Sequence, residues 1–298
     1  MHETFSVEQA NDIVKAMNRI EFHPTMQCEE KNEYGKQHGL SYMQVNGEWQ
    51  CTLCATRQFN KQAEAEETEK SINADRKRRT RALNELSVYR DNTLSGATFD
   101  KYMADNRFND EVRANKQKAQ QLAERLSNGE VLNVFIQSNE TGVGKSHLAM
   151  AILEYVNSTP DAIAIGKECV FLEMANIYDL VLDSMGDDES KYTLMYFSEM
   201  AKRADLLVLD DLGAEIGNIN TNKQASDFAS RFFRSLVDAR QDKSTIYTTN
   251  LSSAKLGEVY DRKVVSRVLR GTKAKDGFVI FNNTKDLRPV IDEIDFGF

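Results

Sequence analysis

No run of apolar residues in this chain approaches the roughly 20 needed to cross a bilayer as a helix. The longest, such as LLVL at 206–209, are strand-sized. The opening stretch, MHETFSVEQANDIV, has neither the basic region nor the apolar core of a secretory signal, so a cytoplasmic protein with no membrane partner is expected. Excess positive charge is also missing: the formal net charge is −8. That excludes a nucleic-acid binder held by its overall field, and any DNA contact has to come from a local basic patch. Cysteine is scarce, at four residues, and in a reducing compartment these are thiols or metal ligands rather than disulfides. No internal repeat is visible. The 298 residues, 41% hydrophobic and 28% charged, suffice for one α/β domain and a smaller module.

Three zones differ in composition. Residues 1–57 hold three of the four cysteines, three of the four histidines and the only tryptophan. Residues 58–90 are almost wholly polar and contain neither proline nor glycine; the acidic run EAEETE (64–69) precedes the basic run RKRRTR (76–81). This zone reads as a charged linker, helical or extended, whose basic run is either a solvated face or a nucleic-acid contact. Residues 91–298 alternate strand-like runs (131–137, 168–174, 205–210, 244–249 and 277–282) with helix-like stretches (146–157, 176–186, 190–203, 223–241 and 254–270). That alternation predicts an α/β domain with a five-stranded parallel sheet covered on both faces.

The first of these strands runs into NETGVGKS (139–146), and the amphipathic stretch HLAMAILEYV follows. Strand, glycine-rich loop, Lys-Ser and helix in that order make a P-loop. Gly142 and Gly144 let backbone N–H groups turn towards phosphate oxygens. Lys145 is read as reaching the β and γ phosphates of ATP, and Ser146 as giving its hydroxyl to Mg²⁺. Asn139 stands where the motif has glycine; asparagine tolerates left-handed backbone angles. With Thr141, Val143 and His147, these residues form the expected nucleotide-binding stretch.

LLVLDDLGAE (206–215) reads as a Walker B strand, with Asp210 at its end as a Mg²⁺ ligand. Asp211 stands where AAA+ ATPases carry the glutamate that polarises the attacking water. Glu215 is the alternative for that role. Asn250, closing STIYTTN (244–250), falls where AAA+ proteins place sensor 1. Arg267, in RKVVSRVLRG (262–271), is the candidate arginine finger, with Arg262 and Arg270 as alternatives; such a finger acts on a neighbouring subunit and requires self-association. About 16 residues follow the fifth strand, fewer than a helical lid needs, so a P-loop AAA+ core lacking a full lid is expected.

Cys51 and Cys54 have the spacing of a metal knuckle. Adding Cys28 and His38 gives Cys-x9-His-x12-Cys-x2-Cys, a donor set suited to tetrahedral Zn²⁺; His23 is a rival fourth ligand. A module this small gains much of its folding free energy from such a metal. Cys169 lies in a core strand and reads as a small buried apolar residue.

ATFDKY (97–102), TGVGKSHLA (141–149), LLVLDDLGAE, YTTN (247–250), SRVLRG (266–271) and DLR (286–288) together resemble the DnaC/DnaI helicase-loader family of AAA+ proteins. The same clade includes IstB-like transposition helpers. The resemblance implies a module at 1–57 that grips a hexameric replicative DNA helicase, a linker at 58–90 and an ATPase domain at 91–298 that oligomerises and binds single-stranded DNA. It implies that ATP acts as a switch while the helicase is delivered onto DNA at replication initiation; the short Asp211 side chain adds slow hydrolysis to that expectation. Lys191, Lys202 and Arg203 lie in the stretch that serves DNA contact in the family. An IstB-like helper, or a non-hydrolysing adapter that inhibits a helicase, remain the alternatives.

Overall fold

The computed structural model describes residues 21–31, 37, 39, 41–45, 48–102, 110–216 and 227–287. Two compact units divide the chain, residues 1–73 and 74–298. Among the described residues no helix is long and apolar enough to cross a membrane.

In the first unit, β1 (Phe22–Gln27), β2 (Ser41–Val45) and β3 (Glu48–Cys51) form an antiparallel sheet in that order. β3 runs directly into α1 (Thr52–Thr80), a 29-residue helix whose residues from Ala74 on belong to the second unit. Its sequence is dominated by Ala, Glu, Gln, Lys and Arg, good helix formers, and it is exposed over most of its length. The basic run therefore falls in the last turn of a helix, where cations complement the dipole. Arg78 pairs with Asp75 at 2.7 Å and Arg79 with Asp205 at 2.6 Å, so two of its guanidinium groups already serve the fold.

In the second unit, α2 (Ala82–Glu85) and α3 (Asp110–Ser127) precede β4 (Val134–Ser138), α4 (Lys145–Ser158), α5 (Pro160–Ile165), β5 (Cys169–Glu173), α6 (Met174–Asp183), α7 (Leu194–Arg203) and β6 (Leu206–Leu212). Then come α8 (Asp227–Asp238), β7 (Ser244–Thr249), α9 (Ser253–Val259), α10 (Arg262–Ala274) and β8 (Phe278–Phe281). The five strands β4 to β8 form one parallel sheet in the order β5-β6-β7-β4-β8. Alternate residues face opposite sides, and both sides are apolar. Val134, Ile136, Val208 and Ile246 pack with α3 and α4, while Phe135, Leu207, Leu209 and Tyr247 pack with α6, α7, α8 and α10. This two-sided burial is why the strands read as unbroken apolar runs. Cys169 is fully buried in β5, and burial pushes its thiol up to about 12. Ala82 and Leu83 are buried too, and Val88 bridges to Leu172 of the edge strand.

The order matters for function. Neighbouring strands β6, β7 and β4 bring the ends of DDL, TTN and the glycine loop together at one edge of the sheet. The stretch 254–270, read as one helix, is two: Asp261 caps α10 by accepting from the Lys263 N–H at 2.7 Å, and α9 has ended by Val259.

Candidate active site

The loop after β4 turns on two glycines with left-handed backbone, Gly142 (φ 68°) and Gly144 (φ 85°). Gly144 also has no room for a side chain: a Cβ there would meet the Tyr102 ring at 2.5 Å. Tyr102 is buried and donates its hydroxyl to the Val143 carbonyl at 3.0 Å, bracing the loop from below. His147 sits beside it, rings 5.3 Å apart, with a ring nitrogen 3.1 Å from the Thr98 carbonyl. Burial lowers the His147 pKa, favouring the neutral ring. At the start of the loop, the Asn139 side-chain oxygen accepts from Gln137 at 3.1 Å.

α4 begins at Lys145, so its N-terminal N–H groups and dipole face the loop. Lys145 is buried; its Nζ donates to the Glu140 carbonyl at 3.1 Å and to Asn250 Oδ1 at 2.5 Å. The Asn250 amide nitrogen in turn donates to Asp211 Oδ1 at 2.9 Å. The Ser146 hydroxyl donates to Asp210 Oδ2 at 2.9 Å, and Thr248 donates to Asp210 Oδ1 at 2.6 Å.

A β-bulge explains how two consecutive aspartates share one site. Leu209 faces Tyr247 and Leu212 faces Thr249, so Asp210 and Asp211 together oppose the single residue Thr248. In a regular strand they would point to opposite faces. Here Asp211 takes a left-handed conformation (φ 55°) and its N–H donates to the Thr248 hydroxyl at 2.8 Å. Lys145, Ser146, Asp210, Asp211 and Asn250 therefore form one connected polar network, with Thr248 at its centre.

Glu215 is turned elsewhere. It accepts from the Gly213 N–H at 3.1 Å and from the hydroxyl of buried Tyr260. Arg267 lies outside the network as well: half-exposed on α10, it pairs with Asp238. The Arg270 side chain lies outside the described residues, as does Arg288. Thr248, Tyr102 and Tyr260 carry no role in the sequence reading, although the first two stand inside YTTN and ATFDKY.

The electrostatics suit a cation. Burial pushes Asp210 up to about 7, against the hydrogen bonds from Thr248 and Ser146 and with the Asp211 charge adding to the rise. Burial raises Asp211 also, opposed by Lys145 and the Asn250 amide, and it lowers Lys145 against the pull of both aspartates. Two neighbouring acids that ionise reluctantly, one beside a serine hydroxyl, match a divalent ion held with a triphosphate. Ser146 and Asp210 would hold Mg²⁺, which supplies neutralisation of phosphate charge when bound.

In the first unit, the Sγ atoms of Cys28, Cys51 and Cys54 lie within 4.8 Å of one another, with Cys28 and Cys54 3.6 Å apart. Cys28 and Cys51 are buried. Burial and the neighbouring thiols push Cys54 up to about 12, a penalty that a bound cation would relieve. The donor set thus fits a thiolate metal such as Zn²⁺. His38 falls outside the described residues; Gly39, next in the chain, donates its N–H to the Cys28 carbonyl at 3.2 Å. His23 is not in the cluster: its Nδ1 accepts from the Thr25 and Met26 N–H groups at 3.3 and 3.0 Å, and its ring meets Trp49 edge-on.

A left-handed glycine loop between a central parallel strand and a helix, facing a buried aspartate on a nearby strand, defines a P-loop nucleoside-triphosphate-binding protein. The profile of the IstB-like ATP binding protein family matches residues 57–270. The chain belongs to that family, whose members are AAA+ ATPases. Among curated proteins, none matches. Among solved structures, the crystal structure of the DnaC helicase loader is 20% identical, covering 64% of this chain and 99% of that one with a TM-score of 0.49. The crystal structure of DnaI is 18% identical, covering 66% and 94% with a TM-score of 0.45. AMPPCP-bound DnaA from Aquifex aeolicus is 20% identical over 62% of this chain, with a TM-score of 0.45; the chain spans about half of that protein's length, 49%.

Proposed function

We propose that this AAA+ ATPase is a helicase loader. It docks on a hexameric replicative DNA helicase in the cytoplasm and delivers the ring onto single-stranded DNA, with ATP as the switch. The observation that carries this reading is the combination of an ATPase core with a separate small unit bearing three clustered thiols ahead of it. We assign residues 1–57 of that small unit the docking role, with Zn²⁺ held by Cys28, Cys51, Cys54 and His38. Residues 58–90 serve as its charged linker and residues 91–298 as the ATPase domain, with buried Ala82 and Leu83 and the Val88 bridge to Leu172 anchoring the end of that linker to the domain's core.

In the ATPase domain, residues 139–147 receive the nucleotide phosphates, with Lys145 the cation that meets them. Asp211 orients the attacking water: its carboxylate is tied to Asn250, which also holds Lys145. Glu215 has both oxygens engaged away from Lys145. Aspartate reaches one methylene less far than glutamate, which makes hydrolysis slow and suits a timer. Arg267 completes the site of a neighbouring subunit after leaving Asp238.

Co-elution with the host's replicative helicase on size exclusion, with ATP or ADP, tests the loader reading; no co-elution in any nucleotide state sinks it. The family profile favours a second reading, an IstB-like helper acting on DNA for a transposase. In that case the protein co-elutes with a transposase and not with the helicase.

A further inference from the structure

The chain beyond β8 crosses the glycine loop under two restraints. Glu111, on α3, accepts from the Asn282 N–H at 2.8 Å, the Asn283 N–H at 3.0 Å and the Thr284 hydroxyl at 2.5 Å. Thr284 is buried there. Three residues on, the Leu287 N–H donates to the Gly142 carbonyl at 3.1 Å. Between these anchors stands Asp286, whose carboxylate fills the space that a side chain at position 142 would take. A Cβ on Gly142 would lie 1.9 Å from Asp286 Oδ1 and 2.6 Å from Oδ2. Gly142 is thus a close approach as well as a left-handed turn, and what approaches it is an acid.

An acid is an unexpected neighbour for a loop whose N–H groups, helix dipole and lysine attract anions. The same field that would draw phosphate oxygens also draws the Asp286 carboxylate. A triphosphate in the loop would bring several negative charges within a few ångströms of it, and like charges at that range in a partly dehydrated site repel strongly.

We propose that Asp286 is an acidic brake on nucleotide binding: a carboxylate strapped against the phosphate loop that incoming ATP must displace or bind against. This rests on reading residues 139–146 as the phosphate loop. The brake sets the nucleotide concentration at which the switch turns on, and it ties the chain after β8 to the state of the loop.

The test is ATP affinity of the full-length protein, by calorimetry or a fluorescent nucleotide, for the wild type, Asp286→Asn and Lys145→Ala. Asparagine keeps the shape and removes the charge. Asp286→Asn is expected to tighten ATP binding by about threefold or more at low salt, with the gain shrinking as salt screens the site. A merely structural contact would not produce that salt dependence. Unchanged or weaker binding by Asp286→Asn, with binding lost in Lys145→Ala, overturns the brake and leaves the phosphate loop standing. Unimpaired binding by Lys145→Ala overturns the loop assignment and the brake with it.

Discussion

The Asn250 side chain joins Lys145 to Asp211, accepting from one at 2.5 Å and donating to the other at 2.9 Å. Only one amide orientation satisfies both partners, oxygen to the ammonium and nitrogen to the carboxylate. Asn250→Ala removes the tie without touching the glycine loop. Turnover is expected to fall on the order of 100-fold while ATP affinity stays within about threefold. Phosphate-release kinetics beside equilibrium nucleotide titration measure the two separately; an equal loss in both contradicts a role confined to hydrolysis.

Asp210 predicts a conflict between stability and activity. Its folded pKa of about 7 lies above the ordinary aspartate value of 3.8. The folded protein therefore binds the extra proton between these limits, and stability declines as pH rises through that window. Asp210→Asn removes the decline. At pH 8 the nucleotide-free variant is expected to be more stable by on the order of 4 kcal/mol, a gain that vanishes towards pH 4, while Mg²⁺-dependent ATP turnover is lost. Denaturant unfolding at the two pH values reads the difference.

How much of this site could be read in the sequence depends on where residues come from. The glycine loop, DDL and TTN each sit at the end of an apolar strand, so their meeting follows from a parallel sheet and its order. The bulge does not. Nothing in LLVLDDL tells a regular strand, which would split Asp210 from Asp211, from one that stacks both against Thr248. α3 is missing from the sequence reading, although Val112, Leu122 and Leu126 recur at helical spacing on its buried face; Asn115, Ala119 and Ala123 between them dilute that stripe. The break between α9 and α10 was signalled by Asp261, a good cap inside an otherwise helical pattern. The approach of Asp286 to Gly142 joins residues 144 positions apart and leaves no local mark.

Tyr260→Phe leaves the half-buried Glu215 carboxylate short of one donor. The expected loss is about 1–3 kcal/mol of stability, read from thermal or denaturant unfolding. Because Glu215 also holds the Gly213 N–H just beyond the bulge, hydrolysis is expected to weaken too. Tyr260→Phe paired with Glu215→Gln should cost less than the two single losses added.

The thiol cluster predicts about one zinc per chain, measurable by metal analysis of purified protein. Chelation or Cys51→Ser is expected to release it and to unfold the small unit, seen as early proteolysis within residues 1–73. The phosphate loop lies in the other unit, so ATP affinity should be retained. A metal-free protein with a protease-resistant N-terminal unit contradicts the assignment.

The ion pair between Arg267 and Asp238 has a bearing on assembly. An arginine already engaged within its own protomer must exchange one carboxylate for a neighbour's phosphate before two protomers can share a site. An exposed pair of this kind is worth at most about 1 kcal/mol, so the exchange is reversible and sensitive to salt. If Arg267 acts in trans as proposed, protomers without nucleotide would gain nothing by it and would stay apart, whereas nucleotide-loaded ones would gain a stronger anion. Asp238 would then act as a placeholder that makes association conditional on the cargo of the adjoining site.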